Sequence, residues 1–228
     1  MLVIDTTNNV TAHLNVLKHR GVTAIGRYYS SKAWKRLTGS EATSVIRAGM
    51  LLFTIFEDDG DPKLTVDNGL HHAQIAAQQA HFIGQPEESA IYFALEHLPG
   101  GYTRQHLSSV DAYLRGVGDG LKGKFKVGVY SDGVVCDAAL TLGLCEYTWL
   151  SASSSFEGSR EFYVSRRWSL AQSSQIDEDW GGLKIDVNEA AAHYGAFSGP
   201  VVAEMTASAA RSDSEQTDML SKSTYDPR

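Results

Sequence analysis

Short apolar runs recur along the chain, and most of them end in a polar residue. Eight such runs read LVID, AIGRYY, LLFTIFED, IYFALEH, KVGVYSD, YTWLS, WSLAQ and LKIDVN. Most are separated by segments in which apolar residues return every three or four positions, which is typical of helices. A strand–helix unit repeated eight times closes into a barrel of parallel strands. The pattern therefore predicts an α/β protein with a (β/α)8, TIM-type barrel.

The connecting segments predict helices of unequal length. The predicted helices cover residues 11–20, 40–48, 64–83, 103–121 and 134–142. Between the sixth and seventh runs, Ser153–Arg167 is too polar and glycine-containing to predict a full helix. Between the seventh and eighth runs, Asp177–Gly182 predicts only a short loop. We therefore expect the second half of the barrel to be abbreviated.

The length and charge of the chain narrow the classes of partner. Its 228 residues, 43% of them apolar, suffice for one barrel with a sizeable core. A net charge of −7 argues against nucleic acid or an anionic membrane surface, and favours a neutral or cationic ligand. No apolar run is long enough to span a membrane, and no signal peptide precedes the first strand. The sequence therefore does not fix where the protein acts. Action at the cell wall or outside the cell would require export or delivery by a route other than a standard signal peptide.

The composition changes after Pro200. Residues 203–228 are rich in Ser, Thr, Ala, Asp and Glu and contain few large apolar side chains. Such a segment buries too little surface to offset the entropy lost on ordering. The sequence thus predicts a barrel domain at residues 1–200 and a flexible tail or linker at residues 201–228. A docked final helix at Val201–Ala210 is the alternative.

Acidic residues at strand ends are the main candidates for chemistry. The C-terminal ends of barrel strands share one face, so Asp5, Glu57, Glu96 and Asp186 are expected to converge there. Glycoside hydrolysis needs an acid beside the leaving oxygen and a group that stabilises the developing positive charge. Clustered carboxylates raise one another's pKa, which makes one of them a usable acid. The alternative is that they act as helix caps and ion-pair partners, with Arg27 balancing their charge.

Aromatic and polar residues near the same strand ends suggest a sugar-binding surface. The predicted binding residues are Arg27, Tyr130, Asp132, Trp149 and Gln172. Aromatic faces stack on the apolar faces of sugars, although a single strand aromatic is more often a core residue. Gln172 interrupts an apolar run and needs a hydrogen-bond partner if it is buried, either a substrate group or Asp186.

Other clusters do not predict a metal or a cofactor. His71, His72 and His81 lack the i, i+4 spacing of helical zinc ligands. The EDDGD segment lacks the glutamate that completes a calcium loop. Cys136 and Cys145 are too few for a zinc site or a disulfide framework, and we expect free core thiols.

Eight stretches together resemble a known family. They are IDTTNN, AIGRYYS, LTGSEATSVIRAGM, FTIFEDDGD, IYFALEH, KVGVYSD, WSLAQSS and IDVNEA, spread over residues 2–195. In order and spacing they resemble the domain of unknown function 1906, the glycoside hydrolase-like domain, a relative of the family 25 lysozymes. The resemblance implies a barrel with a pocket for cell-wall polysaccharide, above all peptidoglycan. Asp5, Gln172 and Asp186 match the first-strand aspartate, the seventh-strand glutamine and the aspartate before the final helix of those lysozymes.

The chain departs from this family at the fourth strand. Family 25 lysozymes carry Asp-x-Glu there and relatives of this domain carry Asp-x-Asp, whereas this chain has Glu96, His97 and Leu98. If Glu96 is aligned with the lysozyme glutamate, the paired aspartate becomes Ala94. In either alignment one carboxylate is missing.

Two functional hypotheses follow. In the first, Glu96 protonates the glycosidic oxygen of an N-acetylated glycan and the substrate's own acetamido oxygen attacks, with Asp5, Asp186 or Glu57 orienting it. In the second, the domain binds cell-wall glycan with the same pocket and has no activity. A third possibility is that the protein is a toxin or lysin delivered without a signal peptide. This possibility concerns how the protein reaches its target and leaves the proposed chemistry unchanged. The sequence leaves the oligomeric state open.

Overall fold

Eight strands close into a barrel, and a ninth short strand extends one of its hairpins. The computed structural model describes residues 1–58, 63–95 and 98–199. The strands are β1 (Leu2–Asp5), β2 (Val22–Tyr29), β3 (Leu51–Phe56), β4 (Ala90–Ala94), β5 (Lys126–Ser131), β6 (Tyr147–Leu150), β7 (Leu170–Gln172), β8 (Glu178–Asp179) and β9 (Lys184–Ala190). Strands β1 to β7 pair in sequence order and in parallel, and β9 closes the ring between β7 and β1. The predicted closed α/β barrel is confirmed.

The last barrel strand runs in the opposite direction to the other seven. Strand β9 is antiparallel to both β7 and β1, so the expectation that all strands are parallel is wrong at this position. A parallel connection needs a crossover of a dozen or more residues, usually a helix. The segment between β7 and β9 contains no helix, and instead β8 forms a short hairpin with β9. The N-terminal part of β9 therefore lies at the face where the parallel strands end.

Six helices of the described part of the chain surround the barrel. They are α1 (Leu14–His19), α2 (Gly39–Arg47), α3 (Val66–Ile83), α4 (Leu107–Leu121), α5 (Gly133–Thr141) and α6 (Ser159–Ser165), with 3-10 turns at Thr11–His13 and Arg104–His106. Thr38, Thr65 and Asp132 are N-caps whose side chains accept a backbone N–H of the first turn. The polar segment after β6 holds only the seven-residue α6. The second half of the barrel is thus abbreviated, as predicted.

Helices α3 and α4 pack closely through glycines. A Cβ on Gly69 would overlap the carbonyl oxygen of Tyr113, and a Cβ on Gly116 would overlap that of Val66. The two backbones are therefore in direct contact at these positions. In contrast, Gly118 on the same helix as Gly116 has no atom within 4 Å of a built Cβ.

The barrel interior is filled by aromatic side chains. Phe53 makes edge-to-face contacts with Trp149 and Tyr194, with ring centroids 5.3 and 5.9 Å apart. Tyr194 follows β9, and its carbonyl accepts a hydrogen bond from the Tyr92 hydroxyl at 2.9 Å. The interior is consequently a packed core. In barrels of this type, ligand-binding groups lie at the face where the parallel strands end.

Several other predictions concern single features. Cys136 and Cys145 are free and buried, as predicted. Within residues 1–58, 63–95 and 98–199, no helix is long and apolar enough to cross a membrane. In the same ranges, no group of three His, Cys, Asp or Glu residues is arranged to hold a metal ion.

The predicted tail at residues 201–228 and the alternative helix at Val201–Ala210 lie outside the described residues.

Candidate functional site

A cleft of about 350 Å³ opens at the face where the parallel strands end. We call it the mouth cleft. It is lined by Tyr28, Tyr130, Asp132, Ser151, Ala152, Ser153, Phe156, Gln172, Ile176, Asp177 and Asp186. The lining combines carboxylates, an amide and hydroxyls with aromatic rings. A volume of this order is within the range of small-ligand sites.

Asp186 is held in the mouth cleft by two hydrogen-bond donors. Nε2 of Gln172 donates to Oδ2 of Asp186 at 2.8 Å, and the backbone N–H of Asp177 donates to Oδ1 at 2.7 Å. Gln172 is itself oriented, because its Oε1 accepts the Tyr130 hydroxyl at 2.9 Å. Burial raises the pKa of Asp186, and the donors from Asp177 and Gln172 oppose this rise. The carboxylate therefore has one defined orientation.

Asp5 lies beside Asp186 on the neighbouring strand. The two residues are directly opposite in the antiparallel β1–β9 pair, and such residues point to the same face of a sheet. Asp5 is only 1% exposed. Its Oδ2 accepts Nδ2 of Asn188 at 2.8 Å, and its Oδ1 accepts the hydroxyl of Tyr28 at 3.3 Å. The first and last strands thus bring two predicted carboxylates together.

Asp132 lines the mouth cleft and also caps α5. Its Oδ1 accepts the Val135 N–H at 3.3 Å and its Oδ2 accepts the Tyr102 N–H at 2.5 Å. Burial raises the pKa of Asp132 to about 6, although both backbone donors lower it. The same carboxylate therefore has a structural role and a position in the cleft wall.

Tyr130 and Trp149 have different positions relative to the cleft. The Tyr130 ring forms part of the lining, and its hydroxyl reaches Gln172. Trp149 is 1% exposed and packs beneath Tyr130, with ring centroids 4.8 Å apart. Its Nε1 donates to Oδ1 of Asn188 at 2.8 Å. Trp149 consequently supports the wall from the core and does not line the cleft.

Arg27 lies away from the mouth cleft. Its guanidinium binds the Glu41 carboxylate through two contacts, Nε to Oε1 at 2.7 Å and Nη2 to Oε2 at 3.1 Å. Nη1 donates to the backbone carbonyls of Thr6 and Lys35. Arg27 is 1% exposed, so these internal acceptors replace the substrate contact that its strand position suggested.

Glu57 and Glu96 complete the set of predicted carboxylates. The Glu57 carboxylate lies 3.1 Å from Nζ of Lys35, whose side chain is 3% exposed. Glu57 is therefore part of an ion pair at the end of β3. Glu96 lies outside the described residues, as does His97. The preceding strand β4 ends at Ala94, which pairs with Tyr130 of β5.

Several residues at or behind the cleft were not predicted as site residues. Asn188 lies behind the cleft and has a usable signal, since it follows Asp186 by two positions and the same face of a strand repeats every two residues. Tyr28 is one of the strand aromatics that fit a sugar-binding surface, but the sequence favours Tyr130 and Trp149 because they lie closer to their strand ends. Phe156, Ile176 and Asp177 come from irregular loops, where no periodicity indicates which side chains face the cleft.

Comparison with known proteins gives one family and a set of similar structures. The model of the family described as "Rv2525c-like, glycoside hydrolase-like domain" matches residues 15–195. The uncharacterized protein YbfG of Bacillus subtilis (strain 168) is 25% identical over 211 residues, which is 80% of this chain. The chain spans 28% of the length of that relative.

Two solved structures show the same fold at lower identity. The Tat-secreted protein Rv2525c of Mycobacterium tuberculosis, solved with L-tartrate, has a TM-score of 0.72 at 22% identity, covering 86% of this chain and 98% of its own. The modular autolysin LytC of Streptococcus pneumoniae, solved with a synthetic peptidoglycan ligand, has a TM-score of 0.56 at 13% identity. That match covers 82% of this chain and 46% of the autolysin. The barrel fold is thus shared with both of these proteins.

Proposed function

Because this chain belongs to the Rv2525c-like, glycoside hydrolase-like domain family, we propose that its mouth cleft binds and hydrolyses an N-acetylated cell-wall glycan, above all peptidoglycan. One observation carries this proposal. Asp5 and Asp186 are opposite each other on β1 and β9, and Asn188 and Gln172 hold their carboxylates by hydrogen bonds. Cleavage of a glycosidic bond uses oriented carboxylates, and binding of a sugar uses aromatic rings on which the sugar can stack.

The proposed reaction uses Glu96 as the acid. The acetamido oxygen of the substrate attacks the anomeric carbon while the glycosidic C–O bond breaks, and the proton of Glu96 passes to the leaving oxygen. Asp186 accepts the acetamido N–H and stabilises the positive charge of the cyclic intermediate, and Asp5 adds a second negative charge beside it. Water then opens the intermediate and returns a proton to Glu96.

The walls of the mouth cleft suit a pyranose ring. Tyr28, Tyr130 and Phe156 supply rings against which the apolar face of a sugar can pack. Ser151 and Asp132 add polar groups for its hydroxyls. This mixture of a few polar groups with aromatic surface is typical of ligand sites.

A glycan-binding module without activity is the second candidate. Two observations favour it: Lys35 forms an ion pair with Glu57 at 3.1 Å, and the segment after β4 reads Glu-His-Leu without a carboxylate pair. A carboxylate paired with an ammonium is a weaker base and a weaker partner for a developing cation. The binding role keeps the same cleft and removes the reaction.

The experiment is to incubate purified protein with peptidoglycan sacculi and N-acetylglucosamine oligomers and to measure new reducing ends. Glu96→Gln is the test variant. Glu87→Gln is the matched control, since Glu87 is exposed, precedes β4 and pairs with Lys124. We expect release by wild type and Glu87→Gln, and no release but retained binding by Glu96→Gln.

The remaining outcomes separate the two functions. Binding to sacculi without release by wild type would support the binding module. Turnover by Glu96→Gln equal to wild type would remove Glu96 from the reaction. Neither binding nor release would overturn both functions.

A further inference from the structure

An exposed tryptophan lies on the loop that follows β2, beside the mouth cleft. We propose that Trp34 is the platform for a second sugar ring of the bound glycan, next to the ring at Asp5 and Asp186. The inference rests on the proposed function and extends it, because it assigns a separate subsite. It predicts that the protein prefers glycan chains over single sugars.

Trp34 is exposed to an unusual degree for its size. Of its surface, 66% is accessible to solvent, whereas Trp149 and Trp168 are 1% and 6% exposed. An exposed indole offers a large flat apolar face, and a ligand that stacks on it removes this surface from water. Indole is also well suited to stack on the C–H face of a pyranose ring.

The loop that carries Trp34 is fixed at both ends. The Leu37 N–H donates to the carbonyl of Tyr28 at 2.8 Å, and Nη1 of buried Arg27 donates to the carbonyl of Lys35 at 3.1 Å. At the other end, Oδ1 of Asp58 accepts the Ser31 N–H at 2.7 Å. These contacts hold the loop in place before any ligand binds. A pre-organised ring loses little entropy on binding, so its contact contributes more to affinity.

One buried ammonium group connects Trp34 to the cleft wall. Nζ of Lys35 lies 5.9 Å from the centroid of the Trp34 ring and 5.5 Å from that of Tyr28. Tyr28 lines the mouth cleft and its hydroxyl donates to Asp5. The rings of Trp34 and Tyr28 can therefore be no farther apart than these two distances taken together, which is within the reach of adjacent sugar rings in a chain. A glycan chain with one ring at Asp5 can place a neighbouring ring on Trp34.

The test compares a single sugar with a chain. Titration calorimetry at 4 °C would measure the Kd of N-acetylglucosamine and of its pentasaccharide for wild type, Trp34→Ala and Trp34→Phe. Phe82→Ala is the matched control, because Phe82 is 72% exposed on α3, away from the mouth cleft. We expect Trp34→Ala to weaken pentasaccharide binding roughly tenfold, the effect of losing one ring stack. Binding of the monosaccharide should be unchanged, and Trp34→Phe should recover most of the loss of pentasaccharide binding.

Each other outcome has a defined meaning. If wild type binds the pentasaccharide and Trp34→Ala binds it equally well, the subsite is wrong and the proposed function stands. If Trp34→Ala weakens binding of the monosaccharide and of the pentasaccharide equally, Trp34 is not a separate subsite. If Phe82→Ala has the same effect as Trp34→Ala, the loss is not specific to this loop. Wild type that binds neither ligand overturns the subsite, and binding to peptidoglycan sacculi then decides the proposed function separately.

Discussion

The side-chain amide of Asn188 donates a hydrogen bond of 2.8 Å to the carboxylate of Asp5 and joins the first strand of the barrel to the last. The same side chain accepts the indole N–H of Trp149 at 2.8 Å. Asn188 is 3% exposed, so one residue satisfies two buried polar groups from different strands. It links Trp149 in the core of the barrel to Asp5, which lies opposite Asp186 of the mouth cleft.

Asn188→Ala should destabilise the protein by about 2–4 kcal/mol, because the carboxylate of Asp5 and the indole N–H of Trp149 both lose a buried partner. Urea unfolding followed by circular dichroism would measure the change. Gln78→Ala, an exposed substitution on α3, is the control and should change stability by less than about 0.5 kcal/mol. Equal stability of the two variants would contradict this role of Asn188.

Arg27→Met should destabilise the protein by about 3–5 kcal/mol, because the Glu41 carboxylate is then buried without its cation. Adding Glu41→Gln should recover at least about 1 kcal/mol, since glutamine can still accept the Val10 N–H and carries no charge. Unfolding midpoints of Arg27→Met, Glu41→Gln and the double variant would give the coupling free energy between the two side chains. A double variant no more stable than Arg27→Met would show that the ion pair is not the source of the loss.

The carboxyl of Asp132 should make the protein more stable at pH 4.5 than at pH 7. Burial raises its folded pKa to about 6, so the folded chain binds this proton more tightly than the unfolded chain. The stabilisation is largest below the unfolded pKa and is lost as the pH rises through the folded pKa. When the pH is lowered from 7 to 4.5, the free energy of unfolding of wild type should rise by about 1–2 kcal/mol relative to that of Asp132→Asn.

Unfolding free energies at the two pH values would test this dependence. Asp137→Asn, an exposed position on α5, serves as the control and should retain the wild-type difference. If Asp132→Asn also retains it, another group is responsible.

Asp186 should make glycan binding dependent on pH. Burial raises its pKa, so the ionised form that accepts the acetamido N–H is lost at a higher pH than for an ordinary aspartate. The Kd for N-acetylglucosamine oligomers should therefore rise as the pH falls from 7 towards 4. Asp186→Asn should bind about tenfold more weakly at pH 7 and lose this dependence. If the Kd of Asp186→Asn rises as much as that of wild type when the pH falls, Asp186 is not the source of the pH dependence.

Two glycines of α4 should respond to alanine in opposite directions. Gly116→Ala should destabilise the protein by at least about 2 kcal/mol, because its Cβ overlaps the carbonyl oxygen of Val66 on α3. Gly118→Ala should stabilise it by about 0.5–1 kcal/mol, because its Cβ meets no atom and alanine favours the helix. Thermal unfolding of both variants would measure the difference. A stabilising Gly116→Ala would contradict the close helix packing.

The local pattern of the sequence predicts most of the elements. Apolar runs predict the barrel strands, and three- and four-residue spacing predicts the helices to within a few residues. The longest helix was expected over residues 64–83 and is observed at Val66–Ile83, with Thr65 as its cap and Gly84 ending it. These signals are local, because periodicity and capping depend on residues a few positions apart.

Strand direction and side-chain partners depend on the tertiary structure. Strand β9 resembles any other apolar run, and its reversal follows from a connection with no helix to cross the barrel. Arg27 and Trp149 occupy plausible ligand positions in sequence, yet Glu41 and Asn188 bind them inside the fold. Nothing within a few residues of either side chain indicates those partners.

The sequence by itself determined the order of the elements and the placement of acidic residues at strand ends, because a strand end is a local feature. Only the tertiary structure decided which of these carboxylates become neighbours. Asp5 and Asp186 become neighbours through the pairing of the first and last strands, and Glu57 is joined to Lys35 instead. Such contacts join residues far apart in the chain, so they exist only once the barrel has closed.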